Sequence, residues 1–276
     1  DIRRLAPDMT ARYACARRKA DNKSQHLTNV AHCLQIVDNP SNSRAFFSLA
    51  KHPYWGNKSH QTIRTAEGPD GKATMSADVY QNRTHLAAMQ GQPLLFVFHG
   101  TGGDENQFFD FGRQLLPDAG IISPRGNVSE HGALRFFRRT GEGVYDMEDL
   151  ALRTDAMADF IRARKIEARP SRTIGLGYSN GANILASVML KHPGLFNEAV
   201  LMHPLIPWQP DAQPGLAGKR VLITAGQRDP ICPPSLTQDF ADYLIGQGVE
   251  TELVWHPGGH EIQQSEIAAI ERFLKS

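Results

Sequence analysis

The chain has few cysteines and no long apolar run. Its three cysteines, Cys15, Cys33 and Cys232, are an odd and sparse set in 276 residues, which disfavours a disulfide framework. The longest apolar runs are short ones such as LLFVF at 94–98, too short to span a bilayer. The first 30 residues contain no apolar stretch of the signal-peptide type. These absences predict a cytoplasmic protein without a membrane span.

The chain also lacks a strong excess of positive or negative charge, since its net charge is +1 at neutral pH. No bulk attraction to nucleic acid is therefore expected. The charge is unevenly distributed, however. Residues 1–75 contain 12 Lys and Arg against 6 Asp and Glu, whereas residues 76–276 contain 18 against 23. The first segment is also polar and weakly periodic. We therefore expect a basic N-terminal extension over 1–75, poorly or partly ordered, and a folded domain over 76–276.

Short apolar runs alternate with amphipathic segments throughout residues 76–276. Strands are predicted at 93–100, 120–124, 172–177, 198–204, 219–226 and 249–257, and helices at 149–165, 180–193, 234–246 and 261–275. This alternation predicts an α/β fold, with a mostly parallel central sheet and helices on both faces. Such sheets bind ligands and perform chemistry at the carboxyl ends of their strands.

The segment GLGYSNGANILAS, residues 175–187, places Ser179 between a predicted strand and a predicted helix. With Gly177 and Gly181 it forms the pattern G-x-S-x-G, typical of a sharp strand–turn–helix that exposes a nucleophilic serine. The glycines are needed because the turn is strained and brings strand and helix close together. Three scattered residues would match this pattern by chance often enough that its context has to agree.

An acid and a histidine follow two later predicted strands. Asp229 comes three residues after the glycine that ends KRVLITAG, and His260 lies in a glycine-rich loop after VETELVWHP. Both positions are carboxyl ends of strands, and the chain order serine, aspartate, histidine is the one that this strand–turn–helix serine requires. The sequence therefore predicts a catalytic triad of Ser179, Asp229 and His260.

The loop HGTGGDE, residues 99–105, follows the first buried strand and is placed to bind an oxyanion. We expect the backbone N–H groups of Thr101 and Asn180, the residue after the predicted nucleophile, to form the oxyanion hole.

Four segments, FHGTGGDENQFFDF, GYSNGANI, ITAGQRDPICP and WHPGGHEI, together resemble the phospholipase/carboxylesterase branch of the α/β-hydrolase superfamily, the bacterial serine esterases. The resemblance covers 76–276 and leaves 1–75 outside it. It implies an α/β-hydrolase catalytic domain, the triad named above, an open pocket, and ester or thioester substrates of modest size. The expected activity is hydrolysis of short- to medium-chain carboxylic esters through an acyl-enzyme on Ser179. This chemistry requires no cofactor and no metal, and we expect a monomer or homodimer acting on a small-molecule ester.

Other functions stay open. The segment GLGYSNG is one residue longer than the dinucleotide fingerprint G-x-G-x-x-G, and the strand that follows ends in His203 and Pro204 rather than an acid, which disfavours nucleotide binding. Dienelactone hydrolases share the fold but usually carry cysteine in place of the serine. A thioester hydrolase and a non-catalytic hydrolase-fold binding protein are further alternatives.

Three more histidines lie near predicted strand ends. We expect His99 to shape its loop by hydrogen bonding, His203 to form part of the pocket wall, and His256 to be structural. Cys232 follows Asp229 by three residues, and we expect it to be a small buried residue near the site.

Two polar motifs have expected structural roles. The pair Asp104 and Gln107 predicts a helix N-cap. The arginines of RFFRR, residues 135–139, are expected to anchor a loop rather than to meet an acidic substrate.

No large cap domain is expected, because a Pro-rich loop of about fifteen residues separates the strands at 198–204 and 219–226. Residues 124–148 are the other candidate wall of the pocket. Short to medium acyl chains are favoured because a long chain would lack an apolar tunnel. The apolar residues expected to line the pocket are Phe108, Phe109, Leu205, Ile206 and Trp208.

Overall fold

The computed structural model describes residues 80–276, and the predicted extension over 1–75 lies outside the described residues. The described part contains eleven strands: β1 (Asn82–His85), β2 (Leu94–Phe98), β3 (Gly120–Pro124), β4 (Val128–Glu130), β5 (Ala133–Arg135), β6 (Arg139–Gly141), β7 (Val144–Tyr145), β8 (Thr173–Tyr178), β9 (Glu198–Met202), β10 (Arg220–Gly226) and β11 (Glu250–His256). It contains five α-helices: α1 (Phe109–Leu115), α2 (Met147–Ala168), α3 (Asn180–Lys191), α4 (Pro234–Gly246) and α5 (Gln264–Lys275).

Seven of the strands form one sheet in the order β1-β3-β2-β8-β9-β10-β11. Only β1 runs antiparallel to its neighbour, while the pairs from β3 to β11 are parallel. This arrangement confirms the predicted α/β-hydrolase fold and all six predicted strands. Strand β1 was not predicted, because NRTH is polar and only partly buried at the edge of the sheet and so lacks a periodic apolar pattern.

The central strands are buried on both faces because helices cover the sheet on either side. Every residue of β2, β3 and β9 is buried, which explains why these strands are largely apolar and show no alternation of apolar and polar residues. Helix α3 is buried from Asn180 to Leu190, and this apolar helix packs against β8 and β9 directly after Ser179. The packing of α3 therefore fixes the position of the serine that precedes it.

The starts of two other helices follow from side-chain capping. Asp146 accepts a hydrogen bond from the Asp149 backbone N–H and so caps α2. At the start of α5, Gln263 and Glu266 form a capping box, each side chain accepting from the backbone N–H of the other residue. The box places Glu266 in the first turn of α5, with its side chain completely buried.

The segments that could cover the carboxyl edge of the sheet are small. Residues 128–145 form two antiparallel hairpins, β4–β5 and β6–β7, and the connection from β9 to β10 contains only a short 3-10 turn at Pro214–Leu216. Residues 80–276 thus contain no large cap domain, as predicted. None of the helices in this range combines the length and apolarity that a membrane crossing requires.

Candidate active site

Ser179 occupies the sharp turn between β8 and α3 with φ 51° and ψ −116°, a backbone conformation that is strained for a residue with a side chain. The turn needs its two glycines. A Cβ on Gly181 would lie 2.4 Å from the Phe98 carbonyl oxygen, and a Cβ on Gly177 would lie 2.6 Å from the Gly181 carbonyl carbon. The Ser179 N–H donates to the Met202 carbonyl at 2.9 Å, which ties the turn to the end of β9.

The structure brings Ser179, Asp229 and His260 together at the carboxyl edge of the sheet. Asp229 follows β10, and His260 follows β11. His260 Nε2 lies 2.9 Å from Ser179 Oγ, and His260 Nδ1 lies 2.7 Å from Asp229 Oδ2. With the proton on Nδ1, His260 donates to the carboxylate and its Nε2 accepts from the serine hydroxyl. This arrangement can transfer a proton from the hydroxyl to the imidazole as the serine oxygen attacks.

Both oxygens of the Asp229 carboxylate have hydrogen-bond partners. Its Oδ1 accepts from the backbone N–H groups of Ile231, at 2.8 Å, and Cys232, at 2.9 Å. Its Oδ2 faces the Nδ1 atoms of both His260 and His203. Burial by itself would raise the pKa of Asp229, but the hydrogen bonds from the two imidazoles outweigh it and hold this pKa well below its usual range. Asp229 is therefore ionised and fixed in orientation.

His203 does not line a pocket, so that expectation was wrong. Its side chain has no exposed surface and lies behind the triad, between Asp229 and Glu266. His203 Nδ1 is 2.9 Å from Asp229 Oδ2, and its Nε2 is 3.1 Å from Glu266 Oε1. His256 Nε2 lies 3.2 Å from the other oxygen of Glu266, Oε2. The sequence analysis missed Glu266 altogether; the only signal for it was the Gln-x-x-Glu spacing of a capping box.

The expected oxyanion donors lie on two segments: Thr101 is in the loop after β2, and Asn180 directly follows Ser179 at the start of α3. Within the described part of the chain, the backbone N–H groups of Thr101 and Asn180 have no hydrogen-bond acceptor and are free to donate. The Asn180 side chain is buried, and its Oδ1 accepts from the Phe136 N–H at 2.8 Å. Arg135 Nη1 donates to the Thr101 hydroxyl at 2.7 Å. The loop after β2 and the start of α3 are therefore both held by the segment around Phe136.

The loop after β2 is also shaped from within. His99 is buried, donates from Nδ1 to the Gly100 carbonyl at 2.7 Å and accepts at Nε2 from the Gly126 N–H at 2.8 Å. Burial lowers the pKa of His99, which fits this neutral form. Gln107 Oε1 accepts from the Gly100 N–H at 2.8 Å. The predicted cap is wrong, because α1 begins only at Phe109 and Asp104 instead accepts from the Asn106 N–H within a turn.

Tyr178 is a site residue that the sequence analysis did not identify. Its hydroxyl donates to the His260 carbonyl at 2.8 Å, and its ring centroid lies 5.4 Å from that of His260. The Tyr178 ring is also close to the loop after β2, since a Cβ on Gly100 would lie 2.7 Å from the ring. Its position directly before the serine was the only signal in the sequence. Tyr178 therefore helps to position the loop that carries His260.

The apolar residues expected around the pocket are mostly buried. Phe108, Phe109, Leu205 and Ile206 have exposed fractions of 1%, 3%, 3% and 4%, and Trp208 is partly buried against the core. Phe108 packs edge-on against Tyr178 at 6.1 Å, whereas the Phe109 ring lies 4.0 Å below the Arg83 guanidinium. Their role in substrate binding stays a prediction.

The arginines at 135–139 make ion pairs with neighbouring carboxylates. Arg135 and Arg139 pair with Glu130, and Arg138 pairs with Asp146 and Asp149. These contacts fit the expectation that the arginines anchor the loop.

Among residues 80–276, two groups of side chains present enough ligand atoms to be considered for a metal, namely His203, Asp229 and His260, and His203, His256 and Glu266. In the second group, His256 Nδ1 already accepts from the Gly258 N–H, and its Nε2 faces a carboxylate oxygen. A network of shared protons accounts for these contacts by itself, with each nitrogen of His203 and His256 paired to a carboxylate or to a backbone N–H.

Comparisons with known proteins identify related hydrolases. Residues 138–266 match the sequence profile of the dienelactone hydrolase family. A relative named "Putative hydrolase MhqD", from Bacillus subtilis (strain 168), is 38% identical over 184 residues, covering 66% of this chain and 92% of the relative. The crystal structure of the Bacillus cereus carboxylesterase is 32% identical with a TM-score of 0.67, covering 73% of this chain and 96% of that one.

The protein Atu2452 of unknown function from Agrobacterium tumefaciens str. C58 is 56% identical, with a TM-score of 0.67, covering 73% of this chain and 98% of that one. A carboxylesterase structure from Mesorhizobium loti is 29% identical, with a TM-score of 0.65, covering 71% of this chain and 95% of that one. The chain is therefore a hydrolase of the α/β-hydrolase superfamily that contains a dienelactone hydrolase family domain over residues 138–266 and has bacterial carboxylesterases among its structural relatives.

Proposed function

We propose that the protein is a serine carboxylesterase that hydrolyses short- to medium-chain carboxylic esters. The observation that carries the proposal is the continuous contact from Ser179 Oγ to His260 Nε2, at 2.9 Å, and from His260 Nδ1 to Asp229 Oδ2, at 2.7 Å. Contacts of this length allow proton transfer without rearrangement. The strained backbone of Ser179 and the carboxylesterases among the structural relatives support the same function.

In this mechanism Ser179 Oγ attacks the acyl carbonyl while His260 Nε2 takes the hydroxyl proton. The oxyanion of the tetrahedral intermediate accepts hydrogen bonds from the backbone N–H groups of Thr101 and Asn180. The alcohol leaves with the proton from His260, and an acyl-enzyme ester on Ser179 results. Water then attacks that ester with His260 as base, and the carboxylic acid and the free serine are released. Asp229 fixes the tautomer of His260 and stabilises its charged form.

The chain-length preference rests on the small segments around the site. Only hairpins and a short turn lie between the sheet strands at this edge within residues 80–276, which supports an open site rather than a long apolar tunnel. We further propose that 76–276 is the complete catalytic domain and 1–75 an extension. In support, the compared crystal structures are matched over 95–98% of their length by 71–73% of this chain.

The test measures initial rates on p-nitrophenyl acetate, butyrate, octanoate and palmitate for the wild type, Ser179→Ala and Ser187→Ala. Ser187 is the matched control because it lies in α3 and its hydroxyl bonds only to the Asn183 carbonyl of the same helix. We expect rapid hydrolysis of the short esters by the wild type and by Ser187→Ala, and none by Ser179→Ala. A preference for palmitate would contradict the open site, and activity independent of Ser179 would contradict the mechanism.

A lactone hydrolase is the second candidate, favoured by the match of residues 138–266 to the dienelactone hydrolase family. It uses the same nucleophile and base, and differs only in that the leaving alcohol stays attached to the acyl group. Comparing kcat/KM for a dienelactone and for p-nitrophenyl butyrate distinguishes the two. A ratio strongly in favour of the lactone would replace the esterase proposal.

A further inference from the structure

Both ring nitrogens of His203 face carboxylate oxygens. Nδ1 lies 2.9 Å from Asp229 Oδ2, and Nε2 lies 3.1 Å from Glu266 Oε1. All three side chains are completely buried, so water cannot satisfy either nitrogen. A neutral imidazole has a single N–H, and its other nitrogen would then direct a lone pair at an acceptor. His203 Nε2 also lies 3.5 Å from His256 Nε2, but His256 Nε2 lies closer to Glu266 Oε2, at 3.2 Å. The shorter contacts are satisfied if both nitrogens of His203 carry protons or if one carboxyl group is protonated.

Protonation of a carboxyl group is disfavoured by the remaining contacts of each acid. Asp229 accepts from two backbone N–H groups and from His260. Glu266 Oε2 accepts from the Gln263 N–H at 2.6 Å and faces His256 Nε2 at 3.2 Å. His256 accepts at Nδ1 from the Gly258 N–H, so its own proton lies on Nε2 and points to Glu266. Both carboxylates are thus surrounded by donors, and the charged forms are favoured.

We propose that His203 is a positioning residue, a buried imidazolium that shares the Asp229 carboxylate with His260 and limits the basicity of His260. This inference rests on the triad roles proposed above. Burial opposes the charge on His203, but hydrogen bonds to Asp229 and Glu266 outweigh it and raise the pKa of His203 to about 9. The net charge of the cluster is consistent with a positive His203. The two carboxylates and three histidines then sum to zero when His260 takes the serine proton.

The neighbours of His203 define what its charge can affect. Its charged and titratable neighbours are Asp229, Glu266, His256, His260, Tyr178 and Cys232. The His203 and His260 rings lie 5.1 Å apart, centroid to centroid. At that distance a positive charge on one imidazole disfavours a second charge on the other by about one pH unit or more. Without His203, the negative charge of Asp229 would act on His260 without a competing cation and would hold the His260 proton more tightly against transfer to the leaving alcohol.

The backbone of His203 supports a specific role. His203 has φ 50°, in the left-handed region that residues with a Cβ rarely adopt, directly after the last residue of β9. Its N–H donates to the Thr224 carbonyl at 2.8 Å. The fold thus holds this histidine in a strained conformation that directs its ring behind Asp229.

The charge is tested directly by ¹⁵N NMR of histidine-labelled wild-type protein, with His203→Gln to assign the signals among the 11 histidines. We expect His203 to show protons on both nitrogens at pH 7.5 and to lose one near pH 9. A single protonated nitrogen at pH 7.5 would overturn the proposal. This measurement requires no substrate, and the charge is read on the wild type; the variant serves only to assign the His203 signals.

The positioning role is tested by the pH dependence of phosphonylation by a fluorophosphonate, which reacts with an activated serine whatever the natural substrate is. On the acid side of this profile the rate falls as the catalytic base becomes protonated. In His203→Gln we expect the midpoint of this fall to shift to higher pH by about one unit or more, because His260 loses a neighbouring positive charge. His192→Gln is the matched control, since His192 also pairs with an aspartate, Asp155, but lies at the far end of α3. The acid-side midpoint of the His192→Gln profile should equal that of the wild type.

The outcomes separate this inference from the proposed function. A wild type that does not react with the fluorophosphonate contradicts the serine mechanism itself. A wild type that reacts, together with a folded His203→Gln whose acid-side midpoint is unmoved, contradicts the positioning role alone.

Discussion

Arg135 donates a hydrogen bond from Nη1 to the Thr101 hydroxyl at 2.7 Å, and so joins β5 to the loop that follows β2. The arginine is only 4% exposed and pairs with Glu130 at 3.4 Å. A second contact runs in parallel, because the Gly102 N–H donates to the Leu134 carbonyl at 2.9 Å. The position of the proposed oxyanion donor at Thr101 therefore depends on a hairpin that is distant in sequence.

Replacing Arg135 by Met should lower kcat on p-nitrophenyl butyrate by about tenfold or more, because a misplaced oxyanion donor loses much of its effect on the transition state. KM should change less, since ground-state binding does not use this contact. Arg138→Met is the control: its side chain is 60% exposed and pairs with Asp146 instead. Equal kinetics for the two variants would show that Arg135 does not position the loop.

Replacing Gly181 by Ala should destabilise the protein by at least about 2 kcal/mol, because the added Cβ would lie 2.4 Å from the Phe98 carbonyl oxygen and neither backbone can move freely. Gly246→Ala is the matched control, since a Cβ there meets nothing within 4 Å at the end of α4. It should be neutral or stabilising by up to about 1 kcal/mol. Urea unfolding measures both free energies, and a Gly181→Ala variant as stable as the wild type would contradict the close approach.

Replacing Asp229 by Asn should lower kcat by about 10⁴-fold, because an amide no longer selects the tautomer of His260 that accepts the serine proton. Asp242→Asn is the control, since Asp242 lies on the exposed face of α4 and accepts only from Gln238. Steady-state kinetics on p-nitrophenyl butyrate compare the two. Substantial activity in Asp229→Asn would remove Asp229 from the mechanism.

The raised pKa of His203 predicts that stability falls as the pH rises. The folded pKa, about 9, lies above the ordinary value of 6.5, so the folded state binds more protons between these values. The stabilisation is complete below about pH 6.5 and is lost as the pH rises through about 9. Free energies of unfolding measured from pH 6 to 10 should show this decline in the wild type and a weaker one in His203→Gln. Parallel curves would contradict the assignment.

Removing residues 1–75 should leave the kinetics on p-nitrophenyl butyrate within about twofold of the wild type, if 76–276 is the complete catalytic domain. Residues 80–276 contain a seven-stranded sheet, a buried core and the candidate triad, which supports this expectation. A shift in acyl-chain preference on removal would instead assign the extension a role at the site. Esters from acetate to palmitate, compared for the two proteins, measure this.

The regular elements could be predicted because their signals are local. Apolar runs such as LLFVF in β2 mark buried parallel strands, and the glycines around Ser179 mark the sharp turn before α3. The strands that precede Asp229 and His260 placed both residues at one edge of the sheet. The polar edge strand β1 and the hairpins at 128–145 escaped prediction because their short, mixed sequences have no clear period.

The sequence by itself determined the α/β order, the strained turn and the three residues that meet at the carboxyl edge, since each depends on residues near one another in the chain. Only the tertiary structure placed His203 between Asp229 and Glu266, which are 26 and 63 residues away along the chain. No local pattern marks such a contact, because the opposite charges that form it are brought together in the core by three separate elements. The structure likewise identified Thr101 as the residue by which Arg135 anchors the loop after β2.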